Sequence, residues 1–370
     1  MHINEKRLLA EFLELVRIDS FAGQEREMAD YLTKKLIELK AEVVEDDAGK
    51  TIQGNAGNLI AKIQGNACKP ALLFAAHMDR VSPGFGIKPI VENGIIRSDG
   101  TTILAADDVA GITVILEGIR TAKEQSIPHG DLEIVFTIAE EGGLSGSKAL
   151  DCSQLTAKCA YFLDSDGPVG TIINQAPAHK NLDLIFHGRA SHAGVKPEKG
   201  INAIQAAAEA ISNMNIGRID NETTTNVGII NGGTAVNIVP DLCELNCEVR
   251  SLDSVKLETQ INQMTQAAEN SATKYNTEID IKITDCYSAF SIPESAEVVS
   301  LAEKAARSIG VTPIIQMTGG GSDASIINKK GIPSVVLGLN YQDVHTKAES
   351  IAVADLVKAA EYVAAIIAQA

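Results

Sequence analysis

The chain has 370 residues, of which 45% are hydrophobic and 22% charged, with a formal net charge of −16. That length exceeds what one core comfortably fills, so two domains are expected, in the composition range of a soluble globular enzyme rather than a disordered or fibrous chain. The negative field, with no Lys/Arg block to interrupt it, argues against nucleic acid as a partner, and no apolar run approaches the roughly 20 residues that a membrane span needs.

Residues 1–20 alternate charges with Leu8, Leu9, Phe12, Leu13 and Val16 in the manner of an amphipathic helix and carry no secretory apolar segment, so a cytoplasmic location is expected. Helices are predicted over 5–16 and 25–39. Strand-like runs at 58–64, 71–77 and 132–139 then alternate with a helical run at 109–123, which points to an α/β sheet layered with helices. The runs 71–76 and 132–139 are almost continuously apolar, as central strands covered on both faces should be. From 181 the pattern changes. Alternating strands at 181–188, 223–230, 242–250 and 278–285, with helices at 200–214 and 254–275, describe an α+β unit with one open sheet face. Helix at 295–309, a buried strand at 334–339 and a last helix from 351 restore the first pattern. The expected architecture is a catalytic α/β domain, 1–178 and 290–370, with a mixed sheet flanked by helices and interrupted by a smaller α+β domain at 179–289. Cys68, Cys152, Cys159, Cys243, Cys247 and Cys286 form no C-x-x-C pair and read as reduced, mostly buried thiols.

Ionisable residues gather where the apolar strands end. His77-Met-Asp79 closes one strand, and residues two apart share a face, so one carboxylate can lie beside one imidazole. Asp107-Asp108 precedes a helix; an N-cap explains Asp108 alone but not two adjacent acids. Glu140-Glu141 follows the strand ending at 139, where neighbouring carboxylates repel unless a cation or a shared proton relieves them. Asp164-Ser-Asp166 ends another apolar run, and Asp166 also suits a turn. His345-Thr-Lys-Ala-Glu349 lies in the loop before the last helix. A nitrogen and oxygen donor set without thiolate suits zinc, cobalt or manganese in a hydrolytic role better than a closed structural zinc site.

In this order along the chain, these motifs resemble the dinuclear zinc exopeptidase family, which includes peptidase T, carboxypeptidase G, aminoacylases and succinyl-diaminopimelate desuccinylase. Residues 98–108 and 166–170 are most similar to its peptidase T-like tripeptide aminopeptidase branch. The resemblance implies two zinc ions, with cobalt or manganese as possible substitutes: His77 and Asp164 on one, Glu141 and His345 on the other, and Asp107 bridging both. It further implies Glu140 as general base, Asp79 as the orienter of His77, and a cis peptide between Asp107 and Asp108. Peptidase T has an Asp-Gly-Gly run where this chain has Asp164-Ser-Asp166, so either acid is open as the ligand, with Asp164 taken first. In the inserted segment, residues 188–194 resemble the family's lid, whose His, here His192, reaches the active site of the partner subunit and supports the oxyanion. Asn237 and Arg250 resemble its substrate-binding residues, and Gly320 lies in a glycine-rich turn whose backbone N–H groups could approach a ligand. The implied protein is a homodimer, joined through the lid, that hydrolyses short peptides and releases the N-terminal residue of tripeptides. An N-acyl-amino-acid amidohydrolase using the same site is the alternative. A non-catalytic scaffold is disfavoured, because it has no chemical need for such a cluster.

Overall fold

A computed structural model describes residues 1–370. In α1 (Glu5–Leu15), Leu8, Phe12 and Leu15 fall on one stripe and are buried, while the Asn4 side chain accepts the Arg7 N–H and caps the helix. Each such side chain contributes about 1.5–3 kcal/mol by leaving water. α2 (Arg26–Glu38) buries Met28, Leu32 and Leu36 by the same spacing. β1 (Glu42–Glu45) pairs antiparallel with β2 (Leu59–Ile63). β3 (Leu72–His77) is buried at every position, as is β4 (Leu132–Thr137), in keeping with their continuous apolar character. Between them, α3 (Ala106–Glu124) has helical dihedrals except at Asp107 and Asp108, so its regular part begins at Val109. β5 (Cys159–Ser165) and β6 (Thr171–Ala176) follow.

The inserted elements are β7 (Ala178–His187), α4 (Ala203–Ser212), β8 (Thr223–Gly232), β9 (Leu242–Ser251), α5 (Ser254–Tyr275) and β10 (Glu278–Tyr287). They form an antiparallel sheet of order β8-β9-β7-β10, with Gly217–Arg218 on the outer side of β8. Leu182, Leu184 and Phe186 are buried and alternate with half-buried residues along β7, and they share one core with Ala206 and Ala210 of α4 and Ile261 and Met264 of α5. The chain then returns through β11 (Phe290–Ser291), α6 (Glu297–Ser308), β12 (Ile314–Met317), α7 (Asp323–Lys329), β13 (Ser334–Gly338) and α8 (Val353–Gln369).

The main sheet has the order β1-β2-β4-β3-β5-β13-β6-β11, with β12 parallel to β6. β3 is parallel to both β4 and β5, and β5 is parallel to β13. Four neighbouring strands therefore end on the same edge, at His77, Thr137, Ser165 and Gly338, and parallel α/β sheets present their sites at that edge. β1, β6 and β12 had no counterpart in the sequence reading. β1 is a short edge strand, largely exposed and without clear alternation, and β6 follows β5 after the five-residue turn 166–170.

The chain divides into two compact units: Met1–Gln175 with Ser291–Met317 and Ser322–Ala370, and Ala176–Phe290 with Thr318–Gly321. The sequence reading had left Thr318–Gly321 with the catalytic part. It belongs to the other unit because Gly321 lies against the Tyr287 ring, where an added Cβ would come within 2.2 Å. None of the six cysteines is in a disulfide. Cys159, Cys243 and Cys247 are buried, whereas Cys68 is exposed and Cys152 and Cys286 are intermediate, so fewer thiols are buried than expected. No helix is long and apolar enough to cross a membrane.

Candidate metal centre

His77 ends β3 with its main-chain N–H donating to Asp108 Oδ2 at 3.1 Å. Its Nδ1 lies 2.9 Å from the Asp79 carbonyl oxygen, which can only accept, so the proton sits on Nδ1. With Nδ1 so engaged, Nε2 is the ring nitrogen that faces Asp107 Oδ1, 3.0 Å away. The Asp79 carboxylate is farther from Nδ1, at 3.5 Å, and is engaged elsewhere. Its two oxygens accept the N–H groups of Glu140 at 2.9 Å and Glu141 at 3.1 Å. The close contact to His77 thus comes from the Asp79 carbonyl, while the carboxylate fixes the glutamate pair.

The loop after β4 is held at four consecutive amides. Asn58 Oδ1 accepts from Ile138, Glu25 Oε1 from Ala139, and Asp79 from Glu140 and Glu141. Ala139 takes a positive φ of 48°, and Gly143, at φ 103°, closes the turn onto the Glu140 carbonyl. Every N–H that would otherwise be buried unpaired finds an acceptor, and the two glutamates are placed by main chain rather than by their own side chains.

The peptide between Asp107 and Asp108 is cis. Asp108 Oδ1 accepts the Gly111 N–H at 3.1 Å, the N-cap arrangement. Asp107 instead faces two histidines, His77 Nε2 from Oδ1 and His345 Nε2 from Oδ2 at 3.3 Å. His345 Nε2 also lies 2.8 Å from Glu141 Oε1. Donor atoms of His77, Asp107 and Asp164 lie within 4.8 Å of one another, as do those of Asp107, Glu141 and His345. Asp166 is exposed and falls in neither group, whereas Asp164 Oδ1 is reached by the buried Tyr341 hydroxyl at 3.4 Å.

Charge crowding shifts these groups in opposite directions. Burial, reinforced by Asp164 and other acids, pushes Glu140 well above the usual carboxyl range, and burial with Asp107 does the same to Asp164. Burial disfavours charge on His77, but contacts with Asp107 and Asp79 outweigh it and raise its pKa. Asp107 and Glu141 raise His345 to about 10. Burial would raise Asp107 too, yet His345 and His77 hold it below its ordinary value. Without a cation, Glu140, Asp164 and the two histidines therefore hold protons more tightly than free groups do, and Asp107 less tightly. Two groups that share one carboxylate, each with one imidazole and only oxygen donors besides, fit a pair of borderline divalent cations, which would relieve the same repulsion.

In the inserted unit, Ser191–His192 pairs antiparallel with Ile238–Val239, and the Ala193 N–H donates to the Asn237 carbonyl at 2.9 Å, so His192 and Asn237 are neighbours. The Gly194 N–H donates to His192 Nδ1 at 3.2 Å, which places the ring proton on Nε2 as an outward donor. The Arg250 guanidinium reaches Glu248 Oε2 at 3.0 Å, the Tyr287 hydroxyl at 3.2 Å and the Gly319 carbonyl, next to Gly320, at 3.4 Å. The sequence reading assigned no role to Glu25, Asp323, Tyr341 or Glu349. Glu25 accepts the Ala139 N–H, Asp323 Oδ2 accepts the Thr137 hydroxyl at 2.5 Å, and Glu349 accepts three amides of the Asp107 turn. Only Glu349 had a usable signal, its four-residue spacing from His345.

Peptidase family M20/M25/M40 matches residues 73–369. The uncharacterized protein YqjE of Bacillus subtilis is 46% identical over 368 residues, covering 100% of this chain and 99% of its own. The structure of the aminopeptidase PepT of Bacillus cereus superposes with a TM-score of 0.92 at 46% identity, covering 99% of each chain. A tripeptidase of Staphylococcus aureus superposes at 0.95 with 41% identity, covering 99% of this chain and 98% of its own. With the motifs resting on one sheet edge and the whole length matched, this chain belongs to peptidase family M20/M25/M40, as a metallo-exopeptidase of its peptidase T-like branch.

Proposed function

We propose that the protein is a two-zinc tripeptide aminopeptidase. The observation that carries this reading is the pair of donor groups sharing Asp107 at the C-terminal edge of four parallel strands. His77 and Asp164 would hold one ion, Glu141 and His345 the other, and Asp107 both; cobalt or manganese could replace zinc. Bound there, the ions supply Lewis acidity and bring the pKa of a water toward about 7. Glu140 would take the proton of the attacking water and return it to the leaving amine. Nε2–H of His192 is a suitable donor to the developing oxyanion, Arg250 is suited to a peptide carboxylate, and Asn237 and the Gly320 amide are suited to the peptide backbone.

The inserted unit supports a homodimer as the working form. Beyond Thr225, β8 is an open sheet edge with Ile229 and Ile230 exposed, and such edges invite pairing with a second copy. The test of function is hydrolysis of one tripeptide, with its amine free and N-acylated, by zinc-loaded enzyme whose metal content is measured alongside. Cleavage of the free peptide alone with about two ions per chain is expected; cleavage of the acylated one alone would make the protein an amidohydrolase.

A further inference from the structure

Glu349 is a carboxylate almost wholly out of water, with 1% of its residue surface exposed. Its acceptors are spent on one short turn: Oε2 takes the N–H groups of Leu104 and Ala105, each at 2.8 Å, and Oε1 takes that of Asp107 at 3.1 Å. Ala105 stands at φ 59°, a left-handed conformation uncommon for a residue with a Cβ, and it helps three amides converge on one anion. Glu349 also lies four residues beyond His345, whose Nε2 reaches the Asp107 side chain. One loop therefore grips Asp107 twice, at its main chain through Glu349 and at its carboxylate through His345.

We propose that Glu349 is a positioning residue that sets the spacing between Asp107 and His345 and so preforms the second cation group of Asp107, Glu141 and His345. This rests on the two-cation reading above. Long loops seldom hold a ligand to within the few tenths of an ångström that coordination needs, and His345, 47% exposed at its side chain, gains that precision from a buried anchor four residues away. Glutamine at 349 keeps the shape but has one accepting atom where three donors converge. Its oxygen can satisfy Leu104 and Ala105 only by turning its NH2 group toward the Asp107 N–H.

A matched control exists in Glu133, 2% exposed, which accepts the N–H groups of Thr156 and Ala157 at the start of β4, the opposite end from Glu140. Metal-free wild type, Glu349→Gln and Glu133→Gln would be titrated with cobalt(II), following bound metal and the visible absorption of each ion. Two ions on wild type and on Glu133→Gln are expected, with Glu349→Gln binding its second ion about 10–100-fold more weakly and with altered visible bands. Should Glu349→Gln be insoluble, Glu349→Asp takes its place, with weakened second-ion binding expected from a stem one methylene shorter. Wild-type affinity and spectrum in the Glu349 variant, with stability lost as in Glu133→Gln, would overturn the proposal alone. A wild type that binds only one ion would overturn the two-cation reading and this proposal with it.

Discussion

At Glu140 and Glu141 two identical side chains sit one position apart on a rigid support, and the proposed division of labour depends on where each points. Glu141 Oε1 is in contact with His345, whereas Glu140 makes no such contact and burial raises its pKa. Glu140→Ala is expected to lower kcat by about 10²–10⁴-fold while metal content survives, since general acid and base catalysis is worth that much. Loss of one metal ion with the activity would mean that the two glutamates exchange roles. Asp79→Asn tests the support itself. Its amide can accept from only one of the Glu140 and Glu141 N–H groups, so both metal affinity and kcat should fall, even though the His77 contact to the Asp79 carbonyl persists.

Among the elements, the packing of α3 on β5 sets the distance between the segments that carry Asp107 and Asp164. The fit is close at Gly111, where a Cβ would lie 2.2 Å from Asp108 Oδ1 and 2.4 Å from the Leu163 carbonyl. Gly111→Ala must push the helix away from the strand, at a cost of about 1–3 kcal/mol, and should weaken metal binding as well. Elsewhere on α3, the buried Glu117 pairs with Arg7 at 2.8 Å and Arg120 at 3.0 Å, far along the helix from the cluster. Glu117→Ala leaves Arg7 to Glu124 and Arg120 to Glu11 alone and should cost about 1–3 kcal/mol in urea unfolding, with metal stoichiometry unchanged. Metal loss in both variants would indicate that stability, not the α3–β5 distance, governs the site.

For the whole molecule, the crowded acids and the histidines make the metal-free fold a proton sink. Glu140, Asp164 and Asp108 have folded pKa values raised above their unfolded ones, so their contribution is present at low pH and lost as pH rises. His345 follows the same sign: its stabilisation is complete below its unfolded pKa near 6.5 and disappears as pH rises through about 10. Cations take the place of those protons, so metal binding should release protons and the Tm gap between loaded and metal-free protein should widen from about pH 6 to about pH 9. Calorimetry at the two pH values, with titrations in buffers of different ionisation enthalpy, measures both. A gap that narrows with pH would show that the cluster is already ionised without metal.

Most of the order of strands and helices, though not β1, β6 and β12, was legible in the sequence, as were the two covered central strands and the places where they end in acids and histidines, because apolar periodicity and strand termination are written in neighbouring residues. The family was legible too, since its motifs are short and local. The tertiary structure decided which of these residues meet. It left Asp166 exposed while bringing Asp164 to His77 and Asp107, gave the close contact to His77 to a carbonyl, turned the Asp79 carboxylate to the glutamate pair, and moved Thr318–Gly321 into the inserted unit. It also brought Glu349 to amides as far as 245 positions away. Such meetings depend on strand order and register across the sheet, which are set by how whole elements pack, and no local stretch of sequence contains them.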